Sequence, residues 1–367
     1  MLIGVPREVK DHEYRVGLVP ASVHELTHNG HQVLIETQAG VGIGFSDDDY
    51  RAVGATIAAD PEEVFAKADM IVKVKEPQPQ ECRWLRPGQT LFTYLHLAAE
   101  PSLAEALVKS GCTAIAYETV TDDRGGLPLL SPMSEVAGRM SIQVGARCLE
   151  KYQGGSGVLL GGVPGVPPAK VVILGAGKVG TNAARMAMGM EARVTVLDKS
   201  LSRLYDLDLQ FGSKITTLYS TMDTVEQAVA NADLVVGAVL IPGAAAPRIV
   251  SAELIKKMRP GSVVVDVSID QGGCFETSRP TSHSNPTYVV NGVVHYCVTN
   301  MPGAVARTAA FALNNATLPF VMQLANLGIQ PAMDANPHLA AGLNIANGKV
   351  VHAAVAEAVG ADHQKAA

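Results

Sequence analysis

Lys170-Val-Val-Ile-Leu-Gly-Ala-Gly-Lys-Val-Gly180 decides how this chain folds. Four apolar residues lead into Gly175-x-Gly177-x-x-Gly180, and a run rich in Ala and Met at helical spacing follows. A second short strand, Val194-Thr-Val-Leu-Asp198, then ends on a carboxylate. Strand, glycine turn, helix, strand and terminal acid is the context of a dinucleotide fingerprint; three glycines alone would fit any α/β turn. Gly175 permits the tight turn, Gly177 lets backbone approach a pyrophosphate, and Gly180 lets helix and strand pack closely. The helix N-terminus at Lys178 and Val179 offers unpaired N–H groups and partial positive charge to phosphates. Asp198, 18 residues past Gly180, can accept bonds from both hydroxyls of an adenosine ribose. Its charge opposes a 2′-phosphate and favours NAD, while Lys199 and Arg203 leave NADP open.

The bulk composition bounds what surrounds this motif. A chain of 367 residues is long enough for two domains, each with its own core. It is 47% hydrophobic and only 17% charged, which requires a large interior and fits surface buried between subunits. A net charge of −6 without a basic block argues against nucleic acid or anionic membrane as partner. Cys82, Cys112, Cys148, Cys274 and Cys297 are scattered and lack CxxC spacing, so buried free thiols in a reducing cytoplasm are expected. Met1-Leu-Ile-Gly-Val-Pro-Arg-Glu8 has no signal-peptide pattern. The low-charge stretch 154–169 is broken by glycines and prolines, hence a loop and not a membrane span.

Working outward, the first ~130 residues alternate strands with helices of about ten residues, which implies βαβ units and a mostly parallel sheet. Strands are expected over 2–5, 32–36, 69–75, 90–96 and 113–120, and helices over 20–29, 61–68 and 101–110. Asp122-Asp-Arg-Gly-Gly126 with Pro128 and Pro132 is turn material, followed by a long helix over 134–152 capped by Ser134. Strands at 171–174, 194–197, 215–218, 234–239, 263–267 and 288–290 build a doubly wound sheet around the fingerprint. An apolar helix over 304–327 and further helix close the chain, and this tail is expected to pack back on the N-terminal half. The reading is therefore α/β, with two Rossmann-like doubly wound domains. A discontinuous substrate domain, 1–130 with 307–367, is joined by long helices to an NAD-binding domain, 131–306.

In open parallel sheets ligands gather beyond the carboxyl ends of strands, and several unusual polar residues fall there. Lys75 ends Met70-Ile-Val-Lys-Val-Lys75, either snorkelling from a strand end or holding an anion. His96 ends Leu91-Phe-Thr-Tyr-Leu-His96, where it suits proton transfer or sits as a hydrogen-bonded core residue. Asp270 lies on a glycine turn after Val263-Val-Val-Asp-Val-Ser-Ile, as a turn residue or at a cofactor crevice. Arg15 can cap a surface or fork onto a carboxylate. No metal site is expected.

Several stretches together resemble one family. Gly4-Val-Pro-Arg-Glu8, Glu13-Tyr-Arg-Val16, Pro20 and Gly30 look like the opening signature of the alanine dehydrogenase family, which also holds the NAD-binding component of proton-translocating transhydrogenase. The glycine segment, Val265-Asp-Val-Ser-Ile-Asp-Gln-Gly-Gly273 and Val298-Thr-Asn-Met-Pro-Gly303 are similar to its later segments, so the likeness runs nearly end to end. His12, Gly17 and Val179 depart from the usual Asn, Ala and Ala. A transhydrogenase subunit would carry an Arg–Gln–Asp loop near 131–140, where this chain has Ser131-Pro-Met-Ser-Glu-Val-Ala-Gly-Arg-Met140.

The resemblance implies roles. Arg15 and Lys75 would bind a small amino or keto acid, and His96 and Asp270 would be the acid–base pair. NAD would be held by Ser134, by Gly175, Gly177, Lys178, Val179 and Gly180, and by Asp198, Arg203 and Ser220. Val239 and Leu240, Val267, Ser268, Ile269 and Asp270, and Val298, Asn300 and Met301 complete that set. The implied reaction is reversible NAD-dependent deamination of L-alanine to pyruvate and ammonium, in a cytoplasmic homohexamer. A related enzyme for another amino acid, such as lysine, and an NAD-dependent sensor are the rivals.

Overall fold

The computed structural model describes residues 1–239 and 246–360. The chain divides into two compact units, one of Met1–Met133 with the chain from Gly303 onward, the other of Ser134–Pro302. Each is a layered α/β unit.

The first unit opens with six parallel strands: β1 (Leu2–Val5), β2 (Gln32–Glu36), β3 (Thr56–Ala58), β4 (Met70–Val72), β5 (Thr90–Thr93) and β6 (Thr113–Ala116). They lie in the order β3-β2-β1-β4-β5-β6. Alternate residues feed two cores, one on each face. Ile3, Val33, Met70, Phe92 and Ile115 face one way, and Leu34, Ile71, Leu91 and Ala114 the other. Covering both faces is why the strands read as continuous apolar runs.

The second unit contributes β7 (Lys170–Leu174), β8 (Arg193–Asp198), β9 (Thr216–Tyr219), β10 (Leu234–Gly237), β11 (Val263–Asp266), β12 (Thr287–Val290) and β13 (Val293–Tyr296). Its sheet runs β12-β13-β11-β10-β7-β8-β9, parallel except for β12. Setting β12 aside, the strand order is the same as in the first unit. In both, the order reverses beside the first strand, at β1/β4 and at β7/β10.

The chain then returns to the first unit. Helix Ala306–Leu327 supplies Ala309, Ala310, Leu313, Val321 and Leu324 to its core, and buried Asn314 accepts from the Val19 amide at 2.8 Å. That bond satisfies a donor at the start of helix Pro20–His28, where no side chain caps it locally. Further helix follows as expected, over Ile329–Ala335, Pro337–Ala340 and Ala353–Val359, but an unexpected hairpin, β14 (Leu343–Ala346) with β15 (Lys349–Val350), interrupts it; β14 pairs antiparallel with β6 and extends the sheet to eight strands. Among the described residues no helix is long and apolar enough to cross a membrane.

Several expected strands stop early, for one shared reason. The strands expected to reach Lys75 and His96 end at Val72 and Thr93, and that expected to reach Val267 ends at Asp266. Just past the last ladder bond, carboxylates take backbone N–H groups: Glu8 those of Val74 and Lys75, Glu118 those of Leu95 and His96, Asp266 that of Ser268. An N–H bonded to a carboxylate no longer serves a ladder. The long helix also starts earlier than expected, over Ser131–Cys148, so Ser134 is inside it and is not its N-cap. Pro132 reads as a breaker but fits a first helical turn, where its missing N–H has no intrahelical partner anyway.

Candidate functional site

In the first unit the candidate residues collect at the carboxyl ends of β1, β4 and β5. Arg15 follows β1 and is buried, 2% exposed, with its Nε donating to Glu13 Oε1 at 2.6 Å and its Nη2 paired with Glu13 Oε2. Its Nη1 points at Met133 Sδ, 3.0 Å away. Glu13 holds the guanidinium strongly basic against the opposing cost of burial. Lys75 lies two residues past the pairing of Lys73 N with the Phe92 carbonyl, and its own carbonyl accepts from Thr93 Oγ1 at 2.9 Å. Burial, and then the positive charge of Arg15, push the Lys75 ammonium below the usual lysine range. Its Nζ has no hydrogen bond or ion pair among the described residues, since Glu76 alongside is paired with Lys10.

His96 leaves β5 with φ 51°, in the left-handed region. Its ring is exposed and lies parallel to that of Tyr94, 8° between planes and 5.8 Å between centroids, and neither ring nitrogen is hydrogen-bonded among the described residues. Tyr94 is buried, donates to the Leu129 carbonyl at 2.6 Å and feels the charge of Arg15. Arg15, Lys75, Tyr94 and His96 thus form one group: a buried guanidinium and a half-buried ammonium to receive an anion, and an exposed imidazole on an aromatic shelf.

A buried charge network underlies this group. Lys73, 1% exposed, pairs with Glu81 at 2.7 Å and Glu8 at 3.4 Å. Burial raises the pKa of Glu8 although Lys73 opposes it. The other Glu8 oxygen accepts from Val74 N at 2.7 Å and Lys75 N at 3.4 Å.

The second unit builds its site differently. Gly175 has φ 109°, and a Cβ there would lie 2.6 Å from the Ala238 carbonyl oxygen. A Cβ on Gly180 would come within 1.8 Å of the Gly175 oxygen, so helix Lys178–Gly189 and β7 meet only through glycine. At Gly177 a Cβ would meet nothing within 4 Å. The open space there, beside a helix N-terminus without a side-chain cap, fits the pyrophosphate of a dinucleotide. Asp198 ends β8; its carboxylate accepts from Ala176 N at 2.6 Å and from Ser200 N at 2.7 Å, tying the acid to the glycine turn. A cleft of ≈ 240 Å³ lined by Gly177, Lys178, Arg203, Asp206 and Gln210 opens beside them.

Of the remaining cofactor candidates, Val179 is in the first turn of that helix and Ser220 follows β9, its amide bonded to the Asp198 carbonyl at 2.9 Å. Val239 follows β10 and accepts from Ser268 Oγ at 2.7 Å. Val267, Ser268, Ile269 and Asp270 follow β11, with Ile269–Gln271 forming a 3₁₀ turn. Fully buried Asp266 anchors that loop through Ser268 N, Cys274 N and Ser278 Oγ. Val298, Asn300 and Met301 follow β13, and Asn300 has φ 60°. Ser134 is the first residue of this unit, and Leu240 lies outside the described residues. Asp270 therefore belongs to the nucleotide-binding unit, whereas Arg15, Lys75 and His96 belong to the other.

Two further features stand apart. A surface cavity of ≈ 580 Å³ is lined by Leu2, Gln32 and Thr56, among others, at the amino ends of β1 to β3 and holds no candidate residue. His24-Glu-Leu-Thr-His28 has HExxH spacing, which the expectation of no metal site passes over. Both histidines are exposed, their ring centroids 6.5 Å apart, and no cluster of three His, Cys, Asp or Glu that could hold a metal exists among the described residues.

Tyr94, Glu8, Glu13, Glu118 and Asp266 are the site residues missed in the sequence. Glu8 and Glu13 stand inside the family-like N-terminal stretch, a usable signal. Glu118 carries none.

The sequence profile described as "Alanine dehydrogenase/PNT, N-terminal domain" matches residues 4–137, and "Alanine dehydrogenase/PNT, C-terminal domain" matches residues 141–353. Alanine dehydrogenase of Halomonas elongata is 58% identical over 100% of this chain and 99% of that protein. That of Bacillus subtilis is 56% identical over 99% of this chain and 96% of that protein. A solved L-alanine dehydrogenase superposes with TM-score 0.95 at 56% identity, covering 98% of this chain and 99% of that one. A transhydrogenase of Sinorhizobium meliloti, 24% identical, superposes at 0.84 over 96% of this chain and 100% of that one, and shares the fold.

Proposed function

The chain belongs to the alanine dehydrogenase/PNT family, and from that premise we infer an NAD-dependent L-alanine dehydrogenase. It deaminates L-alanine to pyruvate and ammonium and aminates pyruvate in reverse. NAD, when bound, takes the hydride that leaves the alanine Cα. The chain's own residues supply the rest.

One observation carries the assignment of the substrate end: the half-buried, unpaired ammonium of Lys75 beside the buried guanidinium of Arg15. Two desolvated cations at a strand-order reversal call for a small anion, and a carboxylate fits. Holding it fixes Cα in one position, and such fixing supplies much of an enzyme's rate. His96, with an exposed ring and unbonded nitrogens, deprotonates the ammonium of alanine and then handles the proton of the water that attacks the iminium. Asp270 takes the second acid–base role. The glycine turn and helix N-terminus receive the pyrophosphate, and Asp198 the adenosine ribose. A homohexamer in the cytoplasm is the assembly and compartment we assign, supported by the apolar composition and by five free, buried cysteines.

The test follows NADH absorbance with L-alanine and NAD, then with NADP, and with L-lysine as control. Alanine-dependent NADH formation with little from NADP is expected; NAD binding without turnover of alanine would favour a different amino acid or a sensor. His96→Ala should lose at least about 1,000-fold in kcat with NAD affinity unchanged. An active His96→Ala would eliminate this mechanism.

A further inference from the structure

We propose that Glu118 is the positioning residue of His96: its carboxylate holds the backbone that aims the imidazole. The proposal rests on the acid–base role of His96 given above.

Glu118 lies in the 3₁₀ turn Tyr117–Thr119 that follows β6, the strand paired with β5. From there its half-buried carboxylate reaches the end of the neighbouring strand. Oε1 accepts from His96 N at 2.6 Å, and both oxygens lie 3.2 Å from Leu95 N. Two successive N–H groups of one turn therefore point at one anion, the geometry of a backbone nest.

What is held this way is a conformation uncommon for any residue but glycine. At φ 51° the Cβ of an L residue is crowded, and the state persists only where its surroundings impose it. If the Leu95 and His96 amides turned back toward an extended path, the ring would leave the face of Tyr94. Tyr94 itself cannot follow. It is packed edge-on against Tyr117, 5.1 Å between centroids, and tethered through its hydroxyl to Leu129. Tyr117 packs edge-on against Phe92 at 4.5 Å. The aromatic shelf is thus rigid, and the carboxylate decides whether the imidazole lies on it.

Charge is part of the argument. A carboxylate offers two acceptor oxygens to two N–H donors, whereas an amide in its place offers one and turns its NH2 toward a donor. Glu118→Gln should therefore misaim the ring while filling the same volume, and Glu118→Asp keeps the charge with a shorter reach. A ring displaced by about 1 Å costs on the order of 100-fold in turnover.

The experiment measures kcat and KM for L-alanine, NAD affinity by fluorescence titration, and Tm, for Glu118→Gln, Glu118→Asp and His96→Ala beside the parent enzyme. Glu118→Gln should lose on the order of 100-fold in kcat. Its alanine KM and NAD affinity should stay within about threefold of the parent, because Lys75, Arg15 and the glycine turn are untouched, and Glu118→Asp should recover part of kcat. A kcat within about threefold of the parent overturns the proposal. So does a loss shared by kcat, alanine KM, NAD affinity and Tm that Glu118→Asp fails to repair, the mark of a merely structural carboxylate. Should Glu118→Gln not fold, Glu118→Asp is judged by the same split between kcat and KM. A His96→Ala enzyme that still turns over removes the reading of His96 itself. An inactive His96→Ala beside a near-parental Glu118→Gln removes only the positioning role.

Discussion

The two units use one strand order for opposite kinds of site. Each reverses its order beside its first strand, at β1/β4 and β7/β10, and each keeps its candidate ligand-binding residues at the carboxyl ends there. At β7/β10 the work falls to backbone: glycines that allow close approach, helix N–H groups, and one acid tied to the turn by a 2.6 Å bond. At β1/β4 it falls to side-chain charge, with buried Arg15 and Lys73 held among Glu8, Glu13 and Glu81 and the half-buried Lys75 beside them. A polyanionic nucleotide is met by dipoles already fixed in the fold. A small acid, with one carboxylate to grip, is met by whole charges. Such charges are costly to bury and need partners to hold them.

The sharpest break in this comparison lies within the glycine turn. Gly180→Ala drives a methyl to 1.8 Å from the Gly175 oxygen and should destabilise the nucleotide-binding unit by about 3 kcal/mol or more, read as a fall in Tm. Gly177→Ala enters open space and should leave Tm nearly unchanged while raising the NAD KM about tenfold. Equal Tm for the two variants would remove the distinction between a packing glycine and a ligand-facing one.

Lys75→Met tests the other reversal point. Loss of a charge-assisted contact should cost about 100-fold in kcat/KM for alanine with NAD affinity intact, because hydrogen bonds to charged groups contribute ~1.5–3 kcal/mol. An effect under about threefold would mean that Arg15 alone grips the acid.

The smallest effect is a pH dependence. Burial and Arg15 lower the Lys75 pKa in the free enzyme, so as pH rises this ammonium loses its proton before an ordinary lysine does. A bound carboxylate favours the charged form and raises the pKa again. The KM for pyruvate should therefore climb a few-fold on the alkaline side, below the usual lysine range, and Lys75→Arg should flatten that limb. A KM for pyruvate independent of alkaline pH would show that Lys75 does not meet the carboxylate.

Much of the nucleotide-binding unit was legible because its signal is contiguous. Strand, glycine turn, helix and Asp198 fall within 29 residues, and local geometry demands glycine at 175 and 180. The substrate-side residues stood out only as odd polar residues after apolar runs, and the resemblance, not periodicity, assigned them roles. The apolar run that points His96 to a strand end outlasts the strand, which stops three residues earlier at Thr93, and Ser134 reads as a cap but lies inside a helix that begins at Ser131.

What the sequence determined alone is whatever short-range physics determines: alternating apolar runs that must be strands and helices, and a glycine turn that must admit backbone or ligand. Only the tertiary structure decided which carboxylates hold the chemistry. Glu8 meets the Lys75 amide across 67 residues and Glu118 the His96 amide across 22. Nothing in the spacing of either pair announces a contact. The partners are set by which strand ends the parallel order places side by side, and a buried or half-buried carboxylate finds its N–H groups only after that order has formed.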